Sequence, residues 1–132
     1  MHFKKFTAKF RSLSGSFDMR RLNNDFYPQG SELSVGEIKY FFRKHFHRVN
    51  RQYLTRTKIK DIEIIGSRVW GQPKPTSDLD ILVYYEGKTN PQDMKDLFAM
   101  SNNRLILNDF EADMTFTKRP IEECMDCFHN FK

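Results

Sequence analysis

Cysteine, tryptophan and long apolar runs are scarce in this chain of 132 residues. It contains two cysteines, Cys124 and Cys127, so it lacks the disulfide framework that stabilises many small secreted proteins. It has no apolar run of about 18 residues, which predicts that no helix spans a membrane. Lysines interrupt the N-terminal segment, so the apolar centre of a secretory signal is also missing. These absences predict a cytoplasmic protein. We expect both cysteines to be small core residues of the last helix.

Acidic residues are unevenly distributed, which is more informative than the net charge of +5. Residues 34–60 contain eight lysines and arginines and a single acid, whereas residues 61–132 contain eight basic and thirteen acidic residues. A basic surface beside an acidic site would suit a polyanionic substrate, such as a nucleic acid. The alternative is that the basic residues of a helix only balance acidic neighbours.

Apolar periodicity predicts one domain over residues 34–132, preceded by a basic arm or irregular lead-in over residues 1–33. Ser34 and Glu37 form the capping-box pattern that starts a helix, which should extend to about Leu54. The later elements are predicted, in order, as a strand at 60–65, a helical turn at 66–70, a strand at 78–85, a helix at 90–100, strands at 105–107 and 109–116, and a helix from Pro120. This order predicts an α/β (α+β) fold, a small mixed sheet with helices packed on one face.

Asp78 and Asp80 lie two residues apart at the start of an apolar run, and ten residues separate Ser67 from Asp78. Alternate side chains of a strand share a face, so the two carboxylates would point the same way and could converge on a divalent cation. The glycine permits a close approach of backbone to a phosphate beside an expected helix start. The alternative is that the acids are exposed strand residues and Ser67 is a helix cap.

These residues resemble the nucleotidyltransferase domain of the DNA polymerase beta superfamily, especially its minimal stand-alone, antitoxin-like members. The resemblance covers about residues 35–128 and rests on Ile65-Gly66-Ser67, the ten-residue spacer, Asp78-Leu79-Asp80-Ile81 and a later strand acid within Ala112-Asp113-Met114. It implies the nucleotidyltransferase fold. It also implies transfer of a nucleoside monophosphate from an NTP to a hydroxyl group, with release of pyrophosphate.

The resemblance further implies two Mg²⁺ ions, or Mn²⁺ in their place, held by Asp78, Asp80 and Asp113. Asp78 and Asp80 would hold the nucleotide-side metal, while Asp113 would complete the second site and help to deprotonate the attacking hydroxyl. Glu111 is the alternative third carboxylate, because it shares a strand face with Asp113. The NTP, most plausibly ATP, would be bound by residues around the glycine: Gly66, Ser67, Arg68 and Ser77. Lys74 and Arg104 are further candidate phosphate ligands; the alternative for these two and for Arg68 is a solvated surface charge.

The acceptor is left open by the sequence. The resemblance favours a hydroxyl of a partner protein, followed by an RNA end or a small molecule such as an aminoglycoside. Two other classes of function remain: a non-catalytic nucleotide- or partner-binding module that retains the fold, and a nucleic-acid-binding domain that uses the basic front half.

Overall fold

Strands and helices follow one another in the order that the sequence predicts. The computed structural model describes residues 23–70, 78–121 and 123. Its elements are α1 (Val35–Tyr53), β1 (Lys58–Ile65), α2 (Ser67–Trp70), β2 (Leu79–Glu86), α3 (Pro91–Ala99), a 3₁₀ turn (Ser101–Asn103), β3 (Ile106–Leu107) and β4 (Phe110–Thr117). The prediction of a mixed sheet with accompanying helices is therefore confirmed.

The predicted capping box starts α1. The Ser34 hydroxyl accepts a hydrogen bond from the Glu37 amide at 3.2 Å, and the Glu37 carboxylate accepts one from the Ser34 amide at 2.8 Å. The helix ends at Leu54, whose left-handed backbone (φ 54°) stops further helical hydrogen bonding. The apolar stripe of α1 is buried, as its spacing predicts.

The strand order β1-β2-β4-β3 brings the two acidic segments of the sequence together. β1 and β2 are antiparallel, and β2 and β4 are parallel. β3 forms a short antiparallel pair with the start of β4. The parallel pair connects through α3, which places residues 79–84 directly beside residues 112–117.

The main core lies on one face of the sheet, where α1 and α3 pack against the strands. It includes Phe42 and Phe46 of α1, Phe98 of α3, and Ile81 and Val83 of β2. Since strand side chains alternate, Asp80 and Leu82 belong to the opposite face. There, a smaller cluster joins Ile65, Leu82 and Ile121. Of the described helices, α1 and α3 therefore do not cover the face that carries Asp80 and Asp113.

The lead-in is described from residue 23 onward, and this part is irregular. Phe26 is buried in the main core, and its carbonyl accepts a hydrogen bond from the Val35 amide at 2.8 Å. Several predicted features lie outside the described residues: the first 22 residues, Lys74, Ser77, and most of the last predicted helix, including Cys124 and Cys127. No helix in the described ranges is long and apolar enough to cross a membrane.

Candidate nucleotidyl-transfer site

Asp80 and Asp113 are direct neighbours across the parallel pair of β2 and β4. Adjacent strands lie about 4.8 Å apart, so two acids at paired positions on one face bring their carboxylates close together. Asp78 immediately precedes β2 and is exposed. The three acids that the sequence predicts as a group therefore lie at one end of the central strand pair.

Gly66 closes the site from the side of β1. Its backbone has φ +90°, and a Cβ at this position would lie 2.0 Å from Oδ2 of Asp80 and 2.9 Å from its Cγ. The carboxylate thus occupies the space that any larger residue would fill. Glycine is required here for two reasons, its conformation and its contact with Asp80.

The electrostatic environment disfavours ionisation of these acids. Burial, followed by the neighbouring Asp113 and Asp78 carboxylates, raises the pKa of Asp80 from 3.8 to about 6. Burial also raises the pKa of Asp78, with added repulsion from Asp113 and Glu111. Crowded carboxylates with raised pKa values are characteristic of a site that a cation neutralises during function.

Arg68 lies beneath the site rather than projecting from it. Its side chain is 3% exposed, its guanidinium carbon lies 3.7 Å from the centroid of the Phe110 ring, and its Nη1 donates a hydrogen bond to the Gln29 carbonyl at 2.8 Å. Burial lowers the pKa of Arg68, and the nearby Asp78 and Asp80 charges oppose that shift. The residue therefore joins the lead-in segment to the acidic site.

A second cation, Lys95 of α3, approaches from the other side. Its Nζ lies 3.4 Å from Oδ1 of Asp113 and donates a hydrogen bond to the Met114 carbonyl at 2.9 Å. Sequence reasoning missed this residue, because a lysine on an amphipathic helix looks like an ordinary surface charge.

Arg104 and Glu111 form an ion pair through two hydrogen bonds, of which the one from Nε measures 2.7 Å. The pair borders a pocket of about 180 Å³ between α3 and β4, which Asp78, Lys95 and Asp113 also line. Arg104 was predicted as a phosphate ligand, and here its partner is a carboxylate. The turn between β3 and β4 has a sequence signal in Asn108-Asp109, because Asn and Asp adopt positive φ more readily than other non-glycine residues, and both have positive φ here.

The site acids, Asp78, Asp80 and Asp113, offer carboxylate oxygens whose charges repel one another. Such a set of donors suits a hard divalent cation. In the described ranges, however, no three side chains of His, Cys, Asp or Glu form a ready-made metal-ligand cluster. Asp113 is instead engaged by Lys95. Asp78, Asp80 and Asp113 are the residues that would hold the metal. The Ser67 backbone begins α2, while Ser77 lies outside the described residues.

Comparison with known proteins places this sequence in a family. The model of the nucleotidyltransferase domain matches residues 43–123. A protein of Methanocaldococcus jannaschii named "Putative protein adenylyltransferase MJ1215" is 41% identical over 59 residues, which cover 44% of this chain and 64% of that protein. Two more from the same organism, MJ0126 and MJ1217, carry the same description. They are 31% and 32% identical over 99 residues, covering 68% of this chain and 93% of each relative.

The match to MJ1215 thus spans less than two thirds of that protein, whereas the other two relatives are aligned over nearly their full length. No solved structure shows a significant match. The predicted resemblance to minimal nucleotidyltransferases, and with it the prediction of a nucleotidyltransferase enzyme, is confirmed. This chain belongs to the nucleotidyltransferase domain family.

Proposed function

We propose that this protein transfers the adenosine monophosphate moiety of ATP to a hydroxyl group, most plausibly on a partner protein. The acceptor oxygen attacks the α-phosphorus, the bond from that phosphorus to the bridging oxygen breaks, and pyrophosphate leaves in line. The observation that carries the proposal is the Asp80–Asp113 pair on β2 and β4, with Asp80 in contact with Gly66.

Asp78 and Asp80 would hold one divalent cation, and Asp80 with Asp113 a second; Mg²⁺ is the first candidate and Mn²⁺ the alternative. When bound, such ions neutralise the phosphate oxygens and lower the pKa of the attacking hydroxyl. Asp113 is positioned to receive the proton of that hydroxyl. Glu111 is a weaker candidate for the third carboxylate, because Arg104 already neutralises it.

The backbone at Gly66-Ser67 would approach the triphosphate, with Ser77 at the other end of the spacer. Arg68 would contribute its positive charge from beneath the site, since its guanidinium is already held by Gln29 and Phe110. These groups act by position and charge, which is how most phosphoryl-transfer sites lower the barrier.

The names of these relatives favour a protein as the acceptor and adenylate as the transferred group. An RNA end or a small hydroxylated molecule remains the next choice. A cytoplasmic location, which would supply ATP and Mg²⁺, is part of the same proposal.

The first experiment measures thermal unfolding with each of the four NTPs, with and without Mg²⁺, on wild type and Asp80→Asn. A ligand at a hundred times its Kd stabilises by about 2.7 kcal/mol, a shift of several degrees for a domain of this size. We expect ATP to raise the Tm only when Mg²⁺ is present, and this rise should disappear in the variant.

ATP labelled in its α-phosphate then identifies the acceptor among proteins, RNA and small molecules. Tight Mg²⁺–ATP binding without transfer to any acceptor would instead favour the non-catalytic binding module.

A second candidate function, binding of nucleic acid, is favoured by the basic face of α1, defined as Arg43, Lys44, Arg48 and Arg51. All four are exposed, and none forms an ion pair with another residue in the described ranges. No acid occurs between residues 38 and 60. Phosphate contacts would make RNA affinity fall steeply with salt, and charge reversal at Lys44 and Arg48 would weaken it. Asp80→Asn would leave this affinity unchanged, which separates it from the catalytic site.

A further inference from the structure

Lys95 reaches the acidic site from the helical side of the sheet. Its neighbours Met94 and Phe98 are buried in the main core, which fixes the position of α3. β3 pairs only with the first two residues of β4, so no strand in the described part of the chain covers this edge of β4 at Met114. The lysine side chain passes this edge and bonds the Met114 carbonyl at 2.9 Å, within 3.4 Å of Asp113.

We propose that Lys95 is a positioning residue that acts as the internal counter-ion of Asp113 and sets how tightly the site binds a divalent cation. In the absence of metal, the ammonium group neutralises one of three crowded carboxylates. When a cation binds Asp113, the lysine and the cation must share the carboxylate, so the charge of the lysine weakens metal binding. The inference depends on the proposed metal site.

The backbone contact distinguishes Lys95 from a surface ion pair. A lysine that pairs only with a carboxylate moves freely with it, and its contribution is small. Here the Met114 carbonyl belongs to a strand held in the parallel ladder, where Met114 lies beside Ile81. The ammonium is therefore retained near Asp113 even when the carboxylate rotates towards a metal.

The chain offers a matched control in Lys60, which pairs with Glu86 at 3.9 Å. The two acids of these ion pairs, Asp113 and Glu86, are more than half exposed. The side chain of Lys95 is 45% exposed and that of Lys60 is 37% exposed. Lys60 lies near the end of the β1–β2 ladder where Lys58 pairs with Glu86, whereas Asp80 pairs with Ile65 at the other end. Its replacement removes the same charge and the same kind of ion pair without affecting the proposed metal site.

The test is titration of the full chain with Mn²⁺ alone, followed by electron paramagnetic resonance and by thermal unfolding, for wild type, Lys95→Met, Lys95→Arg and Lys60→Met. Removing one positive charge a few ångströms from a divalent ion should tighten its binding about tenfold. We expect this for Lys95→Met, together with a lower Tm without metal and a larger Mn²⁺-induced rise. Lys95→Arg and Lys60→Met should bind Mn²⁺ as wild type does.

Unchanged or weaker Mn²⁺ binding by Lys95→Met would overturn the inference while leaving the metal site itself in place. Wild-type protein that binds no Mn²⁺, or binds it equally after Asp80→Asn, would overturn the proposed metal site and the inference together. Should Lys95→Met fail to fold, Lys95→Gln, which also removes the charge and keeps a hydrogen-bond donor, replaces it in the same titration.

Discussion

Gly66 and Asp80 are in direct contact, and their contact links the turn after β1 to strand β2. The space beside the Gly66 Cα is filled by the Asp80 carboxylate, at 2.0 Å from where a Cβ would stand. A glycine that appears from the sequence to serve only the close approach of a phosphate therefore also sets the position of a candidate metal ligand.

Gly66→Ala should lower the stability and, separately, the metal affinity of the protein. A non-glycine residue with positive φ costs about 1–3 kcal/mol, and the methyl group would displace Asp80. Thermal unfolding measures the first effect and Mg²⁺-dependent ATP binding the second. Gly87→Ala is the control, because Gly87 also has positive φ (+150°) but contacts Thr57, away from the site. Both variants should lose stability, and only Gly66→Ala should lose Mg²⁺–ATP binding. Normal ATP binding by Gly66→Ala would contradict this coupling.

The part of the site that lies on regular strands could be predicted from the sequence. Alternation along β2 and β4 put Asp78, Asp80 and Asp113 on one face, and the chain order placed the two strands in one sheet. Local periodicity also predicted α1 with its cap at Ser34. The register that pairs Asp80 with Asp113 could not be predicted, because it depends on packing between distant segments.

Arg68 and Lys95 show why the remaining part of the site could not be predicted. Arg68 bonds the Gln29 carbonyl, 39 residues earlier, in a segment without periodicity. Lys95 contacts Asp113 eighteen residues later, around a sheet edge that is open because β3 is short. Both contacts depend on irregular chain geometry, for which local sequence patterns contain little information.

Asp80→Asn should stabilise the metal-free protein at neutral pH but not in acid. The pKa of Asp80 is about 6 in the folded protein, against 3.8 for an unperturbed carboxyl. The unfolded chain therefore loses this proton at a lower pH than the folded chain does. The free energy of unfolding falls as the pH rises from about 4 to 6, because Asp80 becomes ionised in its buried position. Thermal unfolding should give the variant the same Tm as wild type near pH 4 and a Tm a few degrees higher at pH 7.

The control for this pH series is Asp96→Asn, since Asp96 is exposed on α3 and accepts a hydrogen bond from Gln92. Replacing this exposed carboxylate should leave the Tm close to that of wild type. Saturating Mg²⁺ should reduce the advantage of Asp80→Asn at pH 7, because the cation neutralises wild-type Asp80. A Tm difference that is constant from pH 4 to 7 would mean that Asp80 is not the titrating group.

Asp113→Asn and Glu111→Gln should separate the two candidates for the third carboxylate. Asp113 lies beside Asp80 in the strand pair, whereas Glu111 accepts hydrogen bonds from Nε and Nη2 of Arg104. Loss of a metal-ligating carboxylate should reduce adenylate transfer about 100-fold or more, whereas loss of an exposed ion pair should change it less than about threefold. Rates measured at saturating Mg²⁺–ATP distinguish the two, and a larger loss for Glu111→Gln would reverse the assignment.

Arg68→Lys should lower stability while preserving most of the nucleotide affinity. The planar guanidinium both stacks on Phe110 and bonds the Gln29 carbonyl, and an ammonium group cannot do both. The loss of these contacts should cost about 1–2 kcal/mol in the free energy of unfolding. The lysine retains the charge beneath Asp78 and Asp80, and the substitution removes no direct phosphate contact. The Kd for Mg²⁺–ATP should therefore change less than about threefold.

Arg68→Met removes that charge as well and should weaken both the stability of the protein and its affinity for Mg²⁺–ATP. A stable Arg68→Lys protein with greatly weakened ATP binding would instead indicate that the guanidinium turns to the triphosphate and binds it in two places.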